Sequence, residues 1–271
     1  MADADTVSSP HDDLTLLISA AREAADVAMA RFDTAVQQWT KADASPVSEA
    51  DIAVDERLSA ILRSARPDYG WVSEESALAH GAGRRAFVVD PIDGTRAFLD
   101  GGSAWAISVA VVEGARPIAA VIMRPPKDHV FAASAGGGAS LNGTALAIST
   151  RNGLEGARVA APRKLFARGD LAAAGAQKAN YIPSLALRLA KLCTDELDAM
   201  VAKGGAHHWD VAAGDLIVEE AGGALTDLSG RRIMYDTDTT LLPPLIGGPA
   251  RIIDALKGLG EAIHFDPKGE V

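Results

Sequence analysis

Val89-Asp90-Pro91-Ile92-Asp93-Gly94-Thr95 places two carboxylates, a glycine and a hydroxyl in one short turn, after the apolar run Ala86-Phe87-Val88-Val89. A run of that kind forms a buried strand, and proline cannot donate to a sheet ladder, so the strand is expected to stop near Asp90. The carboxylates then sit at a strand's carboxyl end, where ligands bind in open α/β folds. Oxygen-only ligands suit Mg²⁺ or a similar hard cation, shared with a substrate phosphate. Gly94 lets backbone approach a phosphate closely, and Thr95 offers a hydroxyl at the start of a helix. Taken alone, the same residues also make an ordinary turn with a capping threonine.

Two further acidic clusters are placed to converge on this turn. Glu74-Glu75 lies in Trp71-Val72-Ser73-Glu74-Glu75-Ser76, after Arg66-Pro67-Asp68-Tyr69-Gly70, which should end a helix and begin a short strand. Asp210 lies in His208-Trp209-Asp210-Val211-Ala212-Ala213-Gly214-Asp215, which opens a helix running to Glu219-Glu220-Ala221 and stopped by Gly222-Gly223. Each cluster by itself also reads as a solvated loop or a charge complementing a helix dipole.

Together the three clusters resemble the inositol monophosphatase superfamily of Mg²⁺-dependent, lithium-sensitive phosphatases. The likeness extends over most of the chain, with weaker matches at Lys41, Ser45 to Asp51, Gly136 to Gly143 and Ser184-Leu185-Ala186. It implies that Glu74, Asp90, the Ile92 carbonyl, Asp93 and Asp210 hold two or three Mg²⁺ ions, with Glu74 also helping to hold the attacking water. Neighbouring carboxylates repel unless cations neutralise them, and several metals can clamp both the attacking and leaving oxygens of an in-line displacement. Backbone N–H groups around Gly94 and Thr95 are expected to cradle the phosphate. The resemblance also implies an Asp51 to Thr95 hydrogen bond that helps activate water. Asp51 has a second reading, because Ser48-x-x-Asp51 is a capping box for a helix with Val54, Leu58, Ile61, Leu62 and Ala65 on one face. Lys41 is either beside the phosphate or a third metal, or an exposed lysine near a helix end.

The fold implied is a layered α-β-α-β-α sandwich, with an N-terminal α+β half over residues 1–150, a C-terminal α/β half over 151–271, and a soft boundary. The residues agree with it. Leu14, Leu17, Ile18, Ala21, Ala25, Ala28 and Phe32 make the stripe of a first helix preceded by Asp12-Asp13. Trp105 to Val112 and Ile118 to Met123 read as an antiparallel strand pair, and Leu245-Ile246-Gly247-Gly248 precedes a helix over 250–259.

Composition narrows the partners. A chain of 271 residues, 48% hydrophobic and without an 18-residue apolar run, can bury a sizeable core and has no membrane span. An acidic, polar start lacks the charge pattern of a secretory leader, and a lone Cys193 forms no internal disulfide, so the cytoplasm is the expected compartment. Cys193, amid Leu189, Leu192 and Leu197, reads as a core residue. A net charge of −10 argues against nucleic-acid polymers but is compatible with a small phosphorylated metabolite whose charge is met locally by metal. Relatives in the superfamily are commonly homodimers, which is the expectation here.

Specificity is read from the rim. Where inositol-preferring members place a glutamate, seven positions before the Trp-Asp aspartate, this chain has Lys203. A carboxylate accepts hydrogen bonds from a polyol, whereas an ammonium suits a second anion. Asp93 to Phe98 with Arg96, and Ser184 to Arg188, look most like bacterial 3'(2'),5'-bisphosphate nucleotidases. Adenosine 3',5'-bisphosphate therefore ranks first as substrate, inositol monophosphate second and histidinol phosphate third. Arg96 and Lys203 are also readable as solvated surface charges. A non-catalytic member that uses its metal cage for a protein contact is disfavoured, because Glu74, Asp90, Asp93, Thr95 and Asp210 are all present.

Overall fold

The computed structural model describes residues 8–41 and 45–259. Helix α1 (Pro10–Met29) starts earlier than its apolar stripe suggests: Ser9 caps it in a reciprocal capping box with Asp12. Asp12 and Asp13 thus lie inside the first turn rather than before it. Asp13 is buried and pairs with Arg85 at 2.9 Å and Arg66 at 3.2 Å. Phe32 falls beyond the helix and packs its ring on Phe98 and Trp105.

A hairpin of β1 (Gln38–Thr40) and β2 (Pro46–Ser48) leads into α2 (Glu49–Ala65). Val54, Leu58 and Leu62 are fully buried on α2, while Ala65, expected on that stripe, is exposed at the last turn. The buried face is completed instead by Ala50, Asp51 and Asp55. Two carboxylates one turn apart on an otherwise apolar stripe mark the direction of the site.

The strands β3 (Gly70–Ser73), β4 (Arg85–Asp93), β5 (Ala106–Glu113), β6 (Arg116–Arg124), β7 (His129–Ser134), β8 (Gly138–Leu141) and β9 (Thr144–Ala145) follow one another across a seven-stranded sheet in chain order, with helix α3 (Thr95–Leu99) between β4 and β5. Only β3 and β4 run parallel; the other pairs are antiparallel, including the β5–β6 pair read from the sequence. Alternate side chains of these strands enter different cores. Phe87, Val89, Ile107, Val109 and Val111 pack with α1 and α2, whereas Val88, Ala106, Ala110 and Val112 face the middle of the molecule.

The chain continues through β10 (Arg158–Ala160), α4 (Arg163–Ala167), α5 (Asp170–Ala173), β11 (Gln177–Lys178), α6 (Leu185–Ala190), β12 (Ala199–Ala202), α7 (His208–Glu220), β13 (Ala224–Asp227), β14 (Leu245–Gly248) and α8 (Ala250–Gly258). Its strands form a five-stranded sheet ordered β11-β10-β12-β14-β13. Met200 and Ala202 join the central core with α6 and α7; Ala199, Val201 and Ile246 turn outward onto Ile252, Ile253 and Leu256 of α8. Helices α6 and α7 therefore lie between the two sheets, and the order of layers is α-β-α-β-α. Gly214 permits their approach, since a Cβ there would meet Leu189 at 2.5 Å. Cys193 is buried, which pushes its thiol up to about 12. Among the described residues no helix is long and apolar enough to cross a membrane.

Strand β4 does not end at Asp90. It runs to Asp93, with Asp90 opposite Ser108 but Asp93 opposite Ala106, so three steps along β4 match two along β5. The extra residue is absorbed as a bulge between Asp90 and Asp93, where Pro91, which has no N–H to donate, is tolerated.

Candidate metal and phosphate site

The bulge decides where the two motif aspartates point. In a regular strand, residues three apart face opposite sides of the sheet. With one residue extra, Asp90 and Asp93 converge, and with Asp210 they present carboxylate oxygens all within 4.8 Å of one another. Asp210 belongs to the first turn of α7, where one oxygen accepts from the His207 N–H at 2.5 Å. Ser108, opposite Asp90 on β5, donates to the Trp209 carbonyl at 3.2 Å and ties that turn to the sheet. Asp93 is held by Ser184 Oγ at 2.7 Å and the Ala186 N–H at 2.5 Å.

Three like charges so placed are unstable without cations. Burial, reinforced by Glu74, Asp93 and Asp210, raises Asp90 well above the carboxylate range. Burial raises Asp93 to about 6 despite its two hydrogen bonds, and burial with the Asp93 charge raises Asp210 to about 8. One oxygen of Asp90, Oδ1, is buried with no hydrogen-bond partner among the described residues. An orphaned carboxylate oxygen among acids with no other use for it is what a hard divalent cation satisfies. The residues present fit such an ion.

Glu74 stands beside this triad without joining it. It follows β3, its N–H bound to the Val89 carbonyl at 3.2 Å, and its charge acts on Asp90 and Asp210. Its carboxylate is held by Lys41 Nζ at 2.7 Å, and the same ammonium contacts Glu75 at 2.6 Å. Lys41 is therefore not a free surface lysine: burial disfavours its charge, yet Glu74 and Glu75 raise its pKa overall. Burial lifts Glu75 to about 7. The ammonium here balances two carboxylates of a site rich in negative charge.

Asp51 makes the contacts of both readings at once, the capping box and the bond to Thr95. Its Oδ2 accepts from the Ser48 N–H at 2.8 Å and Ser48 Oγ at 2.6 Å, while Oδ1 meets the Thr95 hydroxyl at 3.1 Å. Burial raises its pKa. Thr95 also contacts the Ile92 carbonyl at 3.1 Å, and one hydroxyl proton serves only one acceptor fully at a time. Gly94 adopts φ 96°, and a Cβ there would meet the Ala104 carbonyl at 3.0 Å and Ser184 at 3.4 Å. Glycine is required by conformation and by space. Helix α3 has only five residues, so an anion at Gly94 and Thr95 would rely on individual N–H groups more than on a long dipole.

The rim residues named from the sequence are less constrained. Arg96 and Lys203 are exposed and form no ion pair among the described residues. Arg188 closes the Ser184 to Arg188 motif without a role that the motif itself assigns. The structure half-buries it on α6, in electrostatic range of Asp93 and Asp210. An arginine inside the apolar run Leu185-Ala186-Leu187-Arg188-Leu189-Ala190 was the available signal. Neither Ser184, the anchor of Asp93, nor Asp55, whose carboxylate accepts from Ser73 just before Glu74 in the chain, is marked by the motif residues.

Comparison with known proteins places this geometry in a family. Residues 10–256 match the model of the inositol monophosphatase family. The chain is 31% identical over 271 residues to the Nus factor SuhB of Xylella fastidiosa, covering 94% of this chain and 98% of that one. It is 34% identical over 208 residues to an inositol-1-monophosphatase of Rhizobium meliloti, covering 72% and 77%. Among solved structures, the extragenic suppressor protein suhB of Bartonella henselae superposes with a TM-score of 0.82 at 28% identity, covering 90% of this chain and 96% of that one. None of these relatives is named a bisphosphate nucleotidase. From its fold, its acidic triad and these matches, the chain belongs to the inositol monophosphatase family and is a phosphoric monoester hydrolase.

Proposed function

We propose that the chain hydrolyses adenosine 3',5'-bisphosphate to AMP and phosphate, using two or three Mg²⁺ ions held by Asp90, Asp93, Asp210, Glu74 and the Ile92 carbonyl. The observation that carries the metal assignment is the triad of buried Asp90 and Asp93 and half-buried Asp210, with its orphaned Asp90 oxygen. Bound there, the cations would acidify the attacking water and offset charge on the phosphate oxygens. Glu74 would help to hold that water once Lys41 yields its carboxylate. Thr95 would take the water's proton at its hydroxyl oxygen while passing its own proton to Asp51 Oδ1, and the N–H groups at Gly94 and Thr95 would bind phosphate oxygens.

The substrate assignment rests on the rim. Lys203 puts a cation where polyol-preferring members put a carboxylate, and Arg96 follows Thr95 directly. Both are unpaired among the described residues, which leaves them available to an anion. The inositol-1-monophosphatase relatives favour a second reading, inositol monophosphate. Phosphate release with Mg²⁺ from adenosine 3',5'-bisphosphate, inositol 1-phosphate and histidinol phosphate, compared as kcat/KM, decides between them. Preference for the bisphosphate supports the proposal; preference for inositol 1-phosphate replaces it. A cytoplasmic homodimer is the setting we expect.

A further inference from the structure

Arg188 lies on α6, whose first turn anchors Asp93 through Ser184 and Ala186. The five other residues of that helix are buried and apolar. A guanidinium has five N–H donors. Here, among the described residues, they find one long contact, from Nη2 to the Pro183 carbonyl at 3.5 Å, and Nε is buried with no partner. Among the described residues no carboxylate is within ion-pair distance of it. The contrast with Arg85 and Arg116 is direct, since each of these pairs with a buried aspartate at 2.9 and 2.8 Å.

Burial disfavours the Arg188 charge, and what offsets this is the field of Asp93, Tyr181 and Asp210. Two of those neighbours are the metal-cage carboxylates. The third, Tyr181, is 83% exposed. Arg188 itself is half-buried, so part of it reaches solvent although its Nε does not. Cations in the cage would neutralise Asp93 and Asp210 and remove the compensation that Arg188 now receives. A half-buried guanidinium with unmet donors and no counter-charge is costly, and a bound anion would supply both needs.

We propose that Arg188 binds the non-scissile phosphate of the substrate and contributes more than Lys203 to selecting a bisphosphate over a monophosphate. This deepens the bisphosphatase reading and rests on it. A planar fork matches two phosphate oxygens at once and is weakly hydrated, so it discriminates more sharply than the exposed ammonium of Lys203.

The test compares kcat/KM for adenosine 3',5'-bisphosphate and adenosine 3'-monophosphate in the Mg²⁺-loaded wild type, Arg188→Met and Arg188→Lys, with melting curves to confirm folding. Arg188→Met should lower the bisphosphate-to-monophosphate ratio about 10- to 100-fold, mainly through KM, as expected for loss of hydrogen bonds to a charged group. Its monophosphate activity should stay within about threefold of wild type, since no reacting atom is touched. Arg188→Lys keeps the charge but loses the fork, and should fall between; it decides the matter if the Met variant does not fold. An unchanged ratio in a wild type that prefers the bisphosphate, or an equal loss on both substrates, overturns the role of Arg188. A wild type without that preference overturns the substrate reading itself.

Discussion

Asp93 and Lys203 belong to the same proposed site and are held in opposite ways. Asp93 is buried at the end of a bulged strand, with a hydroxyl and a backbone N–H bound to one oxygen and Asp90 and Asp210 beside it. Lys203 follows β12, exposed and without an ion pair among the described residues. The cage is set by packing from several elements, so its geometry survives small changes elsewhere. The rim is set by little beyond local backbone, so a single substitution there can redirect specificity without disturbing the fold. Arg188 lies between these extremes, fixed by α6 yet unmatched in its hydrogen bonds.

Breaking the cage should have the largest effect. Asp93→Asn keeps the volume and one acceptor for Ser184 and Ala186 but removes a ligand charge; kcat should fall at least about a thousandfold while the melting temperature is retained. Activity near wild type would take Asp93 out of the metal site. Thr95→Ala should reduce kcat about a hundredfold and leave KM within about threefold, because the hydroxyl acts on water and not on substrate affinity. A change confined to KM would contradict that role.

The electrostatics of the cage give a third expectation. Asp93 and Asp210 have folded-state pKa values raised to about 6 and about 8, so without metal they stabilise the fold below the unfolded value of 3.8 and lose that contribution as pH rises through 6 to 8. Cations bind the ionised forms. The rise in melting temperature caused by Mg²⁺ should therefore be small at pH 5 and several degrees larger at pH 8. A rise independent of pH would place the ion elsewhere. The smallest effects should come from the rim. Lys203→Glu should lower the kcat/KM ratio of bisphosphate to monophosphate by roughly threefold to tenfold, and Arg96→Ala by less than about twofold, since exposed charges are screened. An unchanged ratio would make Lys203 a bystander.

Sequence was most informative where local pattern and burial agree. The stripe of α2, the β5–β6 pair, the glycine stop after α7 and the acidic motif residues all obey short-range rules of period, capping and turn chemistry. The end of β4 was misjudged because proline normally stops a strand, and only the pairing with β5 shows that the extra residue is absorbed as a bulge. The partners of Lys41 and Asp93 lie 33 and 91 residues away, beyond any local rule. Asp51 was legible because its two jobs leave two separate signatures, a capping box and a motif partner. Arg188 left one signature, a charge in an apolar helix, which acquires meaning only when α6 is seen packed beside the cage.

The claim on which the rest depends is that Asp90, Asp93 and Asp210 form a cation site. A crystal of the protein soaked in Mn²⁺, a hard cation with an anomalous signal, tests it most directly. The account predicts anomalous peaks within coordination distance of Asp90, Asp93 and Asp210, including one at Asp90 Oδ1, with Glu74 released from Lys41. Peaks absent from the triad, with Lys41 still holding Glu74, would contradict it.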